Sequence, residues 1–204
     1  MEATRALRES EAAPDPIEQF RRWFVEAQRA GLPLPHAMTL ATATRDGKPS
    51  IRSVLLKEVD RHGFVFYTNY ESRKARELTE NPWAAIALRW VELEREVRCE
   101  GSVERTTPQE SDAYFRTRPR QSQLSAWASP QSRVVASGEE LERRMAGMEA
   151  EYQDREVPRP PYWGGYRLRP VTCEFWQGRP DRLHDRLRYS SLSNGTWRME
   201  RLAP

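Results

Sequence analysis

AMTLATATRDGKPSIRSVLLKEVDRHGFVFYTN, residues 37–69, is the stretch that decides the fold. Ala37–Thr44 and Ser50–Val59 read as strands joined by a turn around Asp46 and Gly47. A second turn at Asp60–Gly63 leads into Phe64–Asn69, a short run of aromatic and β-branched residues. Strands running up and down through short turns indicate an antiparallel sheet curled toward a barrel. Further strands are expected at Trp83–Trp90, Glu96–Arg105, Val171–Gln177, Arg186–Ser191 and Thr196–Leu202. Asn194 and Gly195 join the last two as a hairpin turn.

Helices decorate this sheet. Asp15 can cap the first and Pro16 fits its first turn; Phe20, Trp23, Phe24 and Ala27 share one face, and Gly31 ends it. Ser72–Glu80, Pro108–Arg116 and Gly138–Gln153 also read as helical, whereas Thr117–Arg133 reads as irregular. Strands do not alternate with long helices, and neither GxGxxG nor GxxxxGK[ST] occurs, so a doubly wound nucleotide fold is disfavoured. The expected class is mainly β: an antiparallel barrel with peripheral α-helices, formed by residues 15–204 as one domain behind a mobile polar tail, 1–14.

Composition narrows the function classes. No run of about 18 apolar residues occurs, so no membrane-spanning helix is expected. The N-terminus has no apolar core like that of a secretory signal, which makes the cytoplasm the default location. Cys99 and Cys173 lie far apart inside strand-like runs and read as buried free thiols rather than a disulfide framework. His36, His62 and His184 show no ligand spacing, so no metal is expected. The net charge of +3 and pI near 9.0 point to an anionic partner, a phosphate ester or a nucleic acid, and the predominance of arginine leans toward phosphate recognition.

Three clusters could carry chemistry. In the first, Arg52 lies ahead of the apolar run Val54-Leu55-Leu56 and Lys57 follows it directly, and Ser72, Arg73 and Lys74 open a helix. Cations at a helix N-terminus oppose the dipole, a conflict that a bound phosphate resolves; a capping serine with solvated charges is the plain alternative. Being five apart, Arg52 and Lys57 should face opposite sides of a strand unless a bulge intervenes. The second cluster is YFRTRPRQS, 114–122, whose hydroxyls and guanidinium groups suit a phosphate monoester, a nucleic-acid backbone or plain solvent. In the third, Arg182, His184 and Arg186 alternate and so share one face of an extended strand, where they repel one another unless anions lie between them.

Together these segments resemble the pyridoxine/pyridoxamine 5′-phosphate oxidase family. The matching pieces are RSVLLK (52–57), FYTNYESRKARELTENP (66–82), the YFRTRPRQSQLSAWAS and QS elements within 114–132, PYWGGYR (161–167), EFWQG with RLHDR (174–186) and the terminal ERLAP. The resemblance implies an FMN-binding split β-barrel homodimer that oxidises pyridoxamine and pyridoxine 5′-phosphates to pyridoxal 5′-phosphate, with O₂ reduced to H₂O₂. It implies that Arg52, Lys57, Tyr67, Thr68, Ser72, Arg73 and Lys74 hold FMN, with Gln131, Ser132, Trp176 and Arg186 reaching it from the partner subunit. It places the substrate phosphate against Lys57, Tyr114, Arg118 and Ser122, and Arg182 and His184 at the pyridine ring as catalytic residues.

Two departures stand out. Residues 95–97 read REV where the family usually has RQV with its Gln amide on the flavin, so Glu96 implies weaker FMN binding or a lower flavin potential. The short tail lacks the Tyr-containing segment that covers substrate in many members. The competing readings are a split-barrel flavin oxidase of phenazine type, a non-catalytic flavin-binding protein, and a basic nucleic-acid binder.

Overall fold

The computed structural model describes residues 6–204, whose strands join one antiparallel sheet. β1 (Ala37–Ala43) and β2 (Pro49–Leu55) form the first hairpin, with Gly47 at φ +84° in its turn. β3 (Glu58–Asp60), β4 (Gly63–Asn69), β5 (Trp83–Trp90), β6 (Arg95–Arg105) and β7 (Trp163–Gln177) complete the order β2-β1-β5-β6-β7-β4-β3. β8 (Asp185–Ser191) pairs with β7, and β9 (Trp197–Arg201) with β8.

The long strand β7 splits the barrel. One of its edges pairs with β6 along most of its length. The other gives Phe64–Asn69 its partners at Trp163–Leu168, and then passes to β8 at Thr172–Gln177. Between those two stretches lies Pro170, which cannot donate to a ladder, and the register to β6 shifts at Glu100/Gly101 opposite it. Gly101 approaches β7 so closely that a Cβ there would stand 1.9 Å from the Arg169 carbonyl oxygen.

The helix α1 (Pro16–Arg29) closes the barrel. Asp15 Oδ1 accepts from the amides of Ile17 and Glu18 at 2.7 and 3.2 Å, satisfying two orphan donors at its start. Phe20 meets Phe64 edge-on at 5.0 Å, and Trp23 meets Phe175 at 5.3 Å. Around them Met38, Leu40, Leu88, Val97, Leu168 and Leu187 are buried. α2 (Arg73–Glu80), α3 (Pro108–Thr117), α4 (Arg120–Ala128) and α5 (Gly138–Glu151) lie outside the barrel.

Several expectations are corrected. The strand expected at 50–59 breaks at Leu56–Lys57, because Leu56 is buried while its amide donates to the His36 carbonyl. The stretch expected to be irregular contains α4, which buries Leu124, Ala126 and Ala128 although its first turn is polar. β7 begins at Trp163 rather than Val171: Gly164 and Gly165 are needed there, since a Cβ would stand 2.2 Å from Tyr70 Oη or 2.5 Å from Thr106 Oγ1. Of the tail, residues 1–5 lie outside the described residues, but 6–14 is seated on the fold. Leu7 and Ala13 are buried, Arg201 holds Glu9, and Tyr189 Oη donates to the Ala13 carbonyl at 2.8 Å. Cys99 and Cys173, expected to be free, are directly opposed on β6 and β7 and form a disulfide.

Candidate active site

A cleft of about 950 Å³ opens along β2, the start of α2, the end of α3 and the loop after α4. Arg52, Lys57, Tyr67, Thr68, Arg73, Lys74, Tyr114, Arg118, Ser122, Gln131 and Ser132 all line it. The strand break at Leu56–Lys57 supplies the irregularity that lets Arg52 and Lys57 reach the same space.

One end of the cleft is a cationic pole around α2. Ser72 holds the N-cap position, but its side chain caps no amide; its Oγ accepts from Lys74 Nζ at 3.3 Å instead. The first turn of α2 therefore presents amides and cations with no acid among them. Lys74 Nζ also donates to Thr68 Oγ1 and Gln131 Oε1, both at 3.0 Å, and Thr68 Oγ1 donates to Gln131 Oε1 at 2.9 Å. All three acceptors are neutral. Burial, and then the charge of Arg52, pull the Lys74 ammonium down to about 8. Arg52 and Arg73 complete this pole, both held by the buried carboxylate of Glu77.

At the other end stands an aromatic wall. Tyr67 and Tyr114 stack at 4.0 Å, and Tyr67 stacks on Trp163 at 5.5 Å. Burial first, then the charge of Glu58, pushes the Tyr67 hydroxyl up to about 12, so it remains a neutral donor. Arg118 lies over Trp163 with Cζ 4.6 Å from the ring centroid. Its Nη1 is buried and makes no hydrogen bond within the described chain, and burial lowers its pKa from the ordinary arginine value. A half-buried guanidinium that lines the cleft and has no carboxylate partner among the described ion pairs fits an anion.

Gln131 and Ser132, expected from a partner subunit, lie in this chain's own cleft. The bonds from Thr68 and Lys74 hold Gln131, and an Arg133–Glu71 ion pair at 2.7 Å clamps the loop to the start of α2. Trp176, Arg182, His184 and Arg186 lie outside the cleft and form a second group. Trp176 and His184 rings stand 4.7 Å apart, and Trp176 is opposite Arg186 in the β7–β8 register. The expected extended face of Arg182, His184 and Arg186 is corrected. A 3₁₀ turn at Pro180–Arg182, with Asp181 and Arg182 at φ +58° and +61°, precedes β8, so only Arg186 lies on the strand. His184 Nδ1 accepts from the Arg179 amide at 3.1 Å, which leaves the proton of the neutral ring on Nε2. Arg186 donates to both oxygens of Glu174 at 2.7 and 3.2 Å.

Glu96 faces Trp176 across the β6–β7 ladder, beside this second group. The expectation drawn from it assumed a bare carboxylate, yet Arg98 at 3.3 Å and Arg89 at 3.6 Å flank it. Sequence reasoning assigned no role to Glu77 or Trp163. Glu77 had a signal in its four-residue spacing from Arg73, and Trp163 lay within the PYWGGYR match.

Comparison with known proteins agrees along the whole chain. Residues 24–152 match the family model described as pyridoxamine 5′-phosphate oxidase, and residues 163–204 the one described as the pyridoxine 5′-phosphate oxidase C-terminal dimerisation region. A pyridoxine/pyridoxamine 5′-phosphate oxidase of Rubrobacter xylanophilus is 62% identical, over 100% of this chain and 94% of the relative. One of Salinibacter ruber is 58% identical, over 99% and 95%. Among solved structures, PhzG from Burkholderia lata in complex with tetrahydrophenazine-1-carboxylic acid superposes with a TM-score of 0.93. It is 35% identical, over 99% of this chain and 100% of that one. A family-related FMN binding protein from Nostoc punctiforme, 17% identical over 94% of this chain and 100% of its own, shares the fold with a TM-score of 0.72. No helix among the described residues is long and apolar enough to cross a membrane. The chain belongs to the pyridoxamine 5′-phosphate oxidase family.

Proposed function

We propose that this protein oxidises pyridoxamine 5′-phosphate and pyridoxine 5′-phosphate to pyridoxal 5′-phosphate in a homodimer that binds FMN. The observation that carries this reading is a single cleft lined by two sets of cations, Arg52, Arg73 and Lys74 at α2 and Lys57 and Arg118 with Tyr114, enough for two phosphate groups. In the first set Arg52, Arg73, Lys74 and Thr68 offer donors to the FMN phosphate, with Ser72 buried behind Lys74, and the neutral hydrogen-bond acceptors of Lys74 leave room for an anionic one. The second set, Lys57, Tyr114, Arg118 and Ser122, receives the substrate phosphate through the ammonium, hydroxyl and guanidinium groups that line the cleft. FMN held there would supply the redox chemistry, a two-electron oxidation at C4′ with O₂ as final acceptor and H₂O₂ as by-product; the amine substrate would additionally take up water and release ammonia.

The protein's own contribution is placement and charge. Gln131 and Ser132 line the wall beside Lys74, within reach of the cofactor. Trp176, Arg182, His184 and Arg186 lie in the segment matching the dimerisation region, so a second copy delivers them to the cleft. There Arg182 holds the pyridine ring and offsets charge developing on it, while His184 Nε2–H donates to the ring hydroxyl.

A phenazine-type substrate is the second reading, favoured by the 35% identity to PhzG. A substrate without a phosphate leaves the half-buried Arg118 facing no anion in the cleft, which counts against it. Peroxide release decides between them: the proposal expects turnover with pyridoxamine 5′-phosphate and at least about a hundredfold lower kcat/KM with unphosphorylated pyridoxamine. Comparable rates with both would contradict it.

A further inference from the structure

Beneath the cationic pole of α2 lies a carboxylate that the reading above leaves without a role. Glu77 is only 3% exposed. Its Oε2 accepts from Thr42 Oγ1 at 2.5 Å, Ser50 Oγ at 2.6 Å and Arg52 Nη2 at 3.1 Å, and its Oε1 accepts from Arg73 Nε at 2.8 Å. Burial alone would push this carboxyl up, but the hydrogen bonds from Ser50, Thr42, Arg73 and Arg52 outweigh it and hold the pKa at about 2. Arg52 is fixed further. Its Nη1 donates to Thr42 Oγ1 at 2.6 Å and to the Leu40 carbonyl at 3.2 Å, and its Nη2 donates to Ser50 Oγ at 2.5 Å.

An acid is an odd thing to bury under an anion site, since its charge opposes the ligand. Its value lies in what it does before the ligand arrives. Three cations, Arg52, Arg73 and Lys74, line one corner of the cleft and repel one another when no anion is present. A carboxylate between two of them offsets that repulsion. Each long guanidinium side chain also carries rotamer entropy, which binding need not remove if the chain is already held. Glu77 reaches Arg73 from one turn along the same helix and Arg52 from a neighbouring strand, so it sets the two relative to each other.

We propose that Glu77 is a positioning residue that holds Arg52 and Arg73 in the arrangement that receives the phosphate monoester of the cofactor. The proposal rests on the FMN reading above. The competing role is purely structural, a stitch between α2 and the β1–β2 hairpin.

The test compares FMN with riboflavin, which has the same ring system and no phosphate. Affinities for the cofactor-free protein are read from quenching of flavin fluorescence in wild type, Glu77→Gln and Thr42→Val. Thr42→Val removes one hydrogen bond to Glu77 and one to Arg52 without changing charge. The charge change in Glu77→Gln would by itself tighten phosphate binding, so weakening isolates the loss of positioning. Expected is a rise of about tenfold in the FMN Kd for Glu77→Gln and about threefold for Thr42→Val, with the riboflavin Kd within about twofold of wild type in both. Equal weakening of both flavins, or unchanged FMN affinity in the variants, overturns the proposal while leaving the wild-type preference for FMN in place. If Glu77→Gln fails to fold, Thr42→Val alone decides. A wild type that binds riboflavin as tightly as FMN overturns the FMN reading, and this inference with it.

Discussion

Lys74 shows how a single residue can report the ligand it awaits. Its ammonium is buried among neutral oxygens and drawn down to about 8 from 10.5, so in the free protein it loses its proton as pH rises through about 8. A phosphate favours the charged form, so FMN affinity should be level between about pH 7 and 8, where the phosphate monoester already carries its second charge, and fall above it, while Lys74→Arg, charged throughout, should remove that fall. The sign for folding is the reverse. An unfolded Lys74 keeps its proton up to 10.5, so the stability penalty of burying it is full below about 8 and is relieved between 8 and 10.5. Equilibrium titrations at several pH values check the affinity, and an affinity that rises above pH 8 would contradict the assignment. Glu96 gives a second case. With Arg89 and Arg98 offsetting its charge, Glu96→Gln should move the flavin midpoint potential by less than about 30 mV, where a bare carboxylate beside the flavin would move it further. The identities of the lining residues were legible in the sequence because they form ordered motifs. The sequence did not show that Gln131 folds back onto its own chain, since this depends on contacts from Thr68 and Lys74 some sixty residues away.

Among the elements, hairpins were the easiest to read, and interrupted ones the hardest. Asp46-Gly47 and Asn194-Gly195 fix their turns locally, with Gly47 and Gly195 at φ +84° and +80°. The break between β2 and β3 has no local signal, because it follows from burying Leu56 under α1 and β4. The start of β7 was hidden by Gly164, Gly165 and Pro170, which read as breakers until the close approach of Tyr70 and Thr106 is seen. The bend at Gly101 and Pro170 divides β7 between two walls, so it governs where both β4 and β8 sit. Gly101→Ala should therefore destabilise the fold by more than about 3 kcal/mol in thermal or denaturant unfolding, because its Cβ meets backbone that cannot move independently. A loss below about 1 kcal/mol would show that the bulge tolerates a side chain.

At the scale of the whole molecule, the chain carries two groups of expected site residues that it does not bring together. The cleft with Arg118 lies on one part of the surface, and Trp176, Arg182, His184 and Arg186 lie outside it, within the segment that matches a dimerisation region. The family resemblance assigned Gln131, Ser132, Trp176 and Arg186 to the partner copy, yet Gln131 and Ser132 line this chain's own cleft, a placement that chain order does not reveal. If two copies complete each site, Arg118→Ala and Arg182→Ala homodimers should each lose most of their turnover, Arg182→Ala while still retaining FMN. A mixture refolded together should then recover activity through heterodimers with one intact site; absence of recovery in a verified heterodimer would place both residues in one copy's site. The central claim concerns the reaction itself. Its most direct test is the absorption spectrum of the FMN-loaded protein before and after anaerobic addition of pyridoxamine 5′-phosphate. The account predicts a flavin band near ~450 nm that bleaches with substrate and returns on admitting air. A band that stays unbleached, with the substrate shown to be bound, would contradict it.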